Sequence, residues 1–165
     1  MNPPAHIPRF VVCEDGAEYI ERFRRFLGDA FAFVAARDLG DTLAALDGGC
    51  GRSGRAGLEG VLLDLDFRRT PPHRLVDDRG RALAGAPIDE GTRRRLTESQ
   101  GIHILRALRA RGVTLPAVLF ADLADAEQAR FLERTLAPLV VAPSSTGLRE
   151  VGALLASLAR RPAGR

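Results

Sequence analysis

A change of period that repeats along the chain sets the limits on its fold. Short continuous apolar runs stand at Phe10–Cys13 (FVVC), Ala30–Ala36 (AFAFVAA), Val61–Leu63 (VLL), Ala117–Phe120 (AVLF) and Leu139–Val141 (LVV). Between them, apolar residues recur every three or four positions. Runs of this length read as strands. Since they do not alternate apolar with polar residues, both faces are expected to be covered, as in a parallel sheet. The helical stretches carry Ile20, Phe23 and Leu27, then Ile102, Leu105 and Leu108, then residues 124–136. A last stripe, Leu148, Val151, Leu155 and Leu158, lies within 146–160. After the second strand, Asp41–Leu46 reads as a short helix with Asp41 as its N-cap. Five strands alternating with five helices predict an α/β fold: a doubly wound five-stranded parallel sheet with helices on both faces. The 165 residues suit one domain, with a core at about 8–160 and a frayed tail at 161–165.

Two stretches interrupt the rhythm. Gly48–Gly57 holds five glycines and two arginines and reads as a loop. Phe67 to about Thr97 is longer than most loops of a compact domain, and its eight arginines outnumber its four acids. It reads as an insertion, too polar for the core and partly ordered at best. Its RRTPPHR and RRRL segments are not specific ligand motifs.

Composition mainly excludes. All 24 basic residues are Arg and no Lys occurs, which removes Schiff-base chemistry, a phosphate-loop lysine and a lysine general base. A net charge of +3, with 21 acids interspersed among the arginines, lacks the one-sided basic stripe of nucleic-acid binders. No apolar run approaches the ~20 residues that span a bilayer. The start, MNPPAHIPRF, has no apolar signal region, so a cytoplasmic protein is expected. Cys13 and Cys50 make no disulfide framework and read as reduced, structural thiols. His6, His73 and His103 have no metal-ligand spacing and read as surface or helix-face residues.

In an open parallel sheet, ligands bind beyond the carboxyl ends of the strands. Here those ends carry acids: Glu14 and Asp15 after the first strand, Asp64 and Asp66 after the third, Asp122 past the fourth. With the flavodoxin-like order 2-1-3-4-5, the first and third strands are neighbours, and Glu14, Asp15 and Asp64 converge. Clustered carboxylates repel one another unless a cation neutralises them, and a hard oxygen-ligand ion such as Mg²⁺ suits that task.

With these motifs in order, the chain resembles the receiver domain of bacterial response regulators over about residues 8–160, the insertion set aside. FVVCEDG resembles the family's first strand and acidic pair, and VLLDLDF its third strand ending in the phospho-accepting aspartate. QGIHILRALRARG resembles the following helix, LPAVLF the fourth strand, and LVVAP the fifth strand running into Pro. The resemblance implies Asp64 as phospho-acceptor and Asp15 as direct Mg²⁺ ligand. It further implies that Glu14 assists through water and that the Asp66 carbonyl is another ligand. A histidine kinase or a small phosphodonor would supply the phosphoryl group.

The other half of the site departs from the family pattern. Ala121 stands where the family has a phosphate-binding Thr or Ser, and Ala142 where it has a Lys before the Pro. Leu139 replaces the switching aromatic residue, and Asp122 a small one. Losing one preorganised donor to a transferring phosphoryl group costs ~10²–10³ in rate, and two are missing. An arginine could replace the lost cation, with Arg68 or Arg69, at the start of the insertion, folding back over Asp64.

The resulting expectation is an atypical or pseudo-receiver. It would be a non-enzymatic, stand-alone signalling module, monomer or homodimer, that contacts a histidine kinase or another signalling protein. The contact surfaces would be the insertion and the face of the 124–136 helix, fifth strand and last helix. The alternative is a true receiver phosphorylated on Asp64. Asp64-Leu65-Asp66 also resembles the nucleophile motif of haloacid-dehalogenase-like phosphatases. Against that, Arg68 stands where that family has Thr or Val, and no lysine is available for its later motif.

Overall fold

A computed structural model describes residues 6–48, 57–83, 85 and 87–160. Cys50, most of the glycine-rich loop and the 161–165 tail lie outside the described residues. The strands are β1 (Arg9–Cys13), β2 (Ala32–Ala36), β3 (Leu58–Asp64), β4 (Ala117–Phe120) and β5 (Leu139–Ala142). They form one parallel sheet in the order β2-β1-β3-β4-β5, as the sequence predicts. The helices are α1 (Glu18–Leu27), α2 (Leu39–Gly48), α3 (Glu90–Thr97), α4 (Gln100–Ala110), α5 (Ala126–Thr135) and α6 (Leu148–Ala159).

Each strand divides its apolar residues between two cores, which is why the runs are continuous. Val11, Cys13, Val61, Leu63, Ala117 and Leu119 face α2, α4 and α5. Phe10, Val12, Leu62, Val118 and Phe120 face α1 and α6. The second core holds an aromatic cluster in which Phe23 of α1 meets Phe33 and Phe120, and Tyr19 stacks on Phe120 at 5.1 Å. Arg109, half-buried on α4, donates to the carbonyls of Val113, Leu115, Leu136 and Pro138, tying α4 to the starts of β4 and β5.

Three expectations need correction. Asp38, not Asp41, caps α2: its Oδ1 accepts from the Asp41 N–H at 2.8 Å, and Asp41 lies inside the first turn. There are six α-helices among the described residues, not five, because Glu90–Thr97 is helical. Asp89 caps α3 by accepting from Thr92 N at 2.9 Å, and Leu96 and Thr97 are the helix's only buried residues. The 67–97 segment is also not merely polar surface.

Phe67, Leu75 and Val76 of that segment are fully or almost fully buried, and Phe67 and Val76 join the core on the α4 side. Its charges are absorbed locally, as in Arg81–Asp77 and Arg94–Glu98, so a polar composition coexists with an apolar underside. Backbone bonds close it on itself: Phe67 N donates to Thr97 O, and Val76 bridges Ala82. Gln100 then clamps it, accepting from Val76 N at 3.0 Å and donating to Val76 O at 3.1 Å. Gly80, at φ +72, lies so close to α4 that a Cβ would sit 2.7 Å from Ala107. Only glycine meets both conditions.

Candidate functional site

The strand register brings the sequence-singled acids to one edge. Cys13 pairs with Leu63, so Glu14 follows β1 beside Asp64, the last residue of β3. Asp64 in turn pairs with Phe120, and Phe120 with Ala142. Two open clefts meet at Asp64. One is lined by Glu14, Glu18, Tyr19, Arg22, Asp64, Arg69 and Ser144. The other is lined by Asp15, Asp64, Asp66, Arg68 and Arg69.

The acids share the edge but not one task. Glu14 is buried and turned toward α1, where its two oxygens accept from the N–H groups of Tyr19 at 3.1 Å and Ile20 at 2.8 Å. Burial pushes its pKa up, and those N–H groups oppose the shift. The Asp15 side chain, 7% exposed, accepts from the Arg69 backbone N–H, with Arg69 Nε 3.7 Å from its other oxygen. The guanidinium continues to Glu18 at 2.6 Å. That contact holds the Glu18 carboxyl below its usual range. Asp66 pairs with Arg68 at 2.7 Å through Oδ2, while its Oδ1 is buried without a partner among the described residues.

Asp64 is half-buried, and its Oδ1 accepts from the Leu65 N–H at 2.8 Å. Burial raises its pKa to about 6; the Leu65 N–H opposes this, and the charges of Asp15, Glu14 and Asp66 add to it. Helix α4 begins directly against this strand end. A Cβ on Gly101 would lie 2.0 Å from the Asp64 carbonyl oxygen, so glycine is what lets the helix approach.

On the β4–β5 side two methyl groups stand where a hydroxyl and a cation were the expected pattern. Ala121 and Ala142 are 4% and 7% exposed, and Ala121 N donates to Ala142 O at 2.8 Å. Asp122 is exposed and accepts from Ser144 N at 3.0 Å, bracing the turn after β5. Leu139 is buried at the start of β5, opposite Ala117.

Among the described residues no group of three or more His, Cys, Asp or Glu is placed to hold a metal ion. The donor set explains this: Glu14 caps a helix, and Asp15 and Asp66 are already held by arginines. Arg68 and Arg69 both line a cleft with Asp64, and their ion-pair partners are Asp66, Asp15 and Glu18. Glu18, Tyr19, Arg22 and Ser144 were missed as cleft residues. The only sequence signal for Glu18 was its spacing one turn from Asp15.

The remaining candidates lie apart from this edge. The Cys13 thiol is buried, donates to Asp38 O at 3.7 Å, and burial pushes its pKa up to about 12, so it is inert. His103 is buried on α4 with Nε2 2.9 Å from Ser99 Oγ. No helix among the described residues is long and apolar enough to cross a membrane.

No family model matches the chain, and no curated protein sequence does. Solved structures do match. The Francisella response regulator 1452 receiver domain superposes with a TM-score of 0.62 at 12% identity, covering 93% of this chain and 98% of its own. The chain has the response-regulator receiver fold. The non-phosphorylated HemR receiver domain from Leptospira biflexa gives 0.59 at 16% identity, covering 96% of this chain and 98% of its own. A chain described as adenylate cyclase from Rhodopirellula baltica gives 0.58 at 11% identity, covering 92% and 87%.

Proposed function

We propose that this protein is a receiver-like signalling module working by protein–protein contact, with little or no phosphorylation-driven switching. One observation carries the reading. Around Asp64 the positions for a hydroxyl and a cation are buried methyl groups, at Ala121 and Ala142, while the acids opposite are engaged by the chain's own groups. A phosphoryl group arriving at Asp64 would find no hydroxyl from the end of β4 and no cation from the end of β5. Asp122 adds a negative charge close by.

In this reading the whole chain is one receiver-like domain, with 67–97 an insertion that adds a surface the common fold lacks. The partner is a histidine kinase or another signalling protein. It would be met through the insertion and the face of α5, β5 and α6, where Phe131 of α5 is exposed. Pull-downs with the wild type and with an Arg79→Ala, Arg95→Ala variant, which alters exposed residues of the insertion and keeps its buried Leu75 and Val76, should capture different proteins; identical captures would exclude this face of the insertion as a contact surface.

The competing reading is a phospho-accepting receiver. It is favoured by the accessibility of Asp64 to both clefts and by Arg69 and Arg22 lining one of them. Incubation with Mg²⁺ and acetyl phosphate, followed by intact mass, separates the two. The proposed function expects no stoichiometric adduct. Full labelling at Asp64, or a beryllofluoride shift that Asp64→Asn abolishes, would replace it with the second reading.

A further inference from the structure

We infer that Arg69 is the resident cation of this acidic cleft, occupying by its own guanidinium and backbone N–H the carboxylates that a divalent ion would otherwise gather. The inference rests on the proposed reading only in taking this cleft as the functional site.

Three independent features point to it. First, the Asp15 side chain is almost fully buried, and a buried carboxylate needs a counter-charge. Arg69 supplies one through Nε, 3.7 Å from Oδ1, and also a backbone N–H to Oδ2. Second, the guanidinium lies with Glu18 over Gly16. A Cβ on Gly16 would come within 2.0 Å of Glu18 Oε2, 2.7 Å of Arg69 Nη1 and 2.9 Å of Cζ, so the Arg69–Glu18 pair takes space that any larger residue at 16 would contest. Its far end is then fixed by Glu18 at 2.6 Å. Third, the side chains of Glu14 and Asp66 are engaged by other groups of the chain. Glu14 spends both oxygens on α1, and Arg68 holds Asp66 at 2.7 Å.

An arginine differs from a metal ion in one decisive respect. It keeps its charge at every accessible pH and cannot dissociate from the chain, so Asp15 and Glu18 keep a counter-charge regardless of Mg²⁺ supply. Part of the carboxylate repulsion that makes divalent ions bind at such an edge is relieved in advance.

The test is a Mn²⁺ titration read by calorimetry and by the thermal midpoint, on wild type, Arg69→Ala, Arg69→Ala with Asp15→Asn, and Gly16→Ala. Gly16→Ala crowds the Glu18–Arg69 pair while keeping both charges, and so serves if Arg69→Ala does not fold. Arg69→Ala is expected to bind Mn²⁺ at least about tenfold more tightly than wild type, with a midpoint that rises as Mn²⁺ is added. Gly16→Ala should move in the same direction, and Asp15→Asn should cancel the gain. Wild type binding Mn²⁺ as tightly as both variants would overturn the inference. The two readings fail separately. Acetyl phosphate labelling of Asp64 in a wild type that excludes Mn²⁺ ends the proposed function and leaves Arg69 in its role. A wild type that binds Mn²⁺ tightly yet takes no phosphoryl group does the reverse.

Discussion

Gln100 carries more than its position at the start of a helix suggests. Its amide serves both backbone groups of Val76 in a site closed to water, in the way a neighbouring strand would. Gln100→Ala leaves a buried N–H and a buried C=O unpaired, and stranded groups of this kind cost about 1–3 kcal/mol each. Urea unfolding should therefore show a loss of about 2 kcal/mol or more, whereas a change below about 0.5 kcal/mol would mean water replaces the amide. His103 offers a pH test. Burial, helped by Arg106 and opposed by Asp78 and Asp77, depresses its pKa in the fold, and its Nδ1 has no partner among the described residues. With the folded value below the unfolded one, the unfolded chain takes up the proton first. The stability due to neutral His103 is thus full above about pH 6.5 and declines as pH falls below it. Wild type should lose more stability than His103→Leu between pH 7.5 and pH 5.5, as read from urea midpoints; parallel losses would assign the pH dependence elsewhere.

At the level of elements, the contact between α4 and the end of β3 is set by a missing side chain. Gly101→Ala places a methyl against the Asp64 carbonyl, a backbone atom that cannot swing aside. Overpacking of this sort costs about 1–3 kcal/mol, so the variant should melt several degrees lower, and an unchanged midpoint would mean α4 can slide along the sheet. The sequence makes elements legible in proportion to their burial. The AVLF run coincides with β4 at both ends because all four residues are buried. Helix α3 was invisible because Leu96 is its one large apolar residue, leaving no stripe to count. The cap of α2 was misplaced by one turn because Asp38 and Asp41 are equally good caps on paper, and only the fold selects Asp38. At the site, the convergence of Glu14, Asp15 and Asp64 followed from strand order alone. Their division of labour did not, because it depends on Arg69, which meets Asp15 across 54 residues of chain.

Over the whole molecule, the 67–97 segment is tied down at widely separated points. Arg69 holds the loop after β1, Arg74 holds Asp38 and Asp41 after β2, and Gln100 holds Val76 against α4. With Phe67 and Val76 part of the same core as β3 and α4, the segment is expected to unfold with the sheet. Hydrogen exchange should find the Phe67 and Val76 amides nearly as protected as those of β3. Rapid exchange there, with β3 still protected, would make the segment a separately opening unit.

The stacking of Tyr19 on Phe120 has a practical consequence. The chain has one tyrosine and no tryptophan, and that tyrosine lines the cleft beside Asp64, Arg69 and Ser144. Excited where phenylalanine does not absorb, its ultraviolet emission therefore originates from a single ring at the candidate site. An ion, a phosphoryl group or a docking partner that disturbs this edge would be reported by the unlabelled protein itself, with no signal from elsewhere in the molecule to subtract.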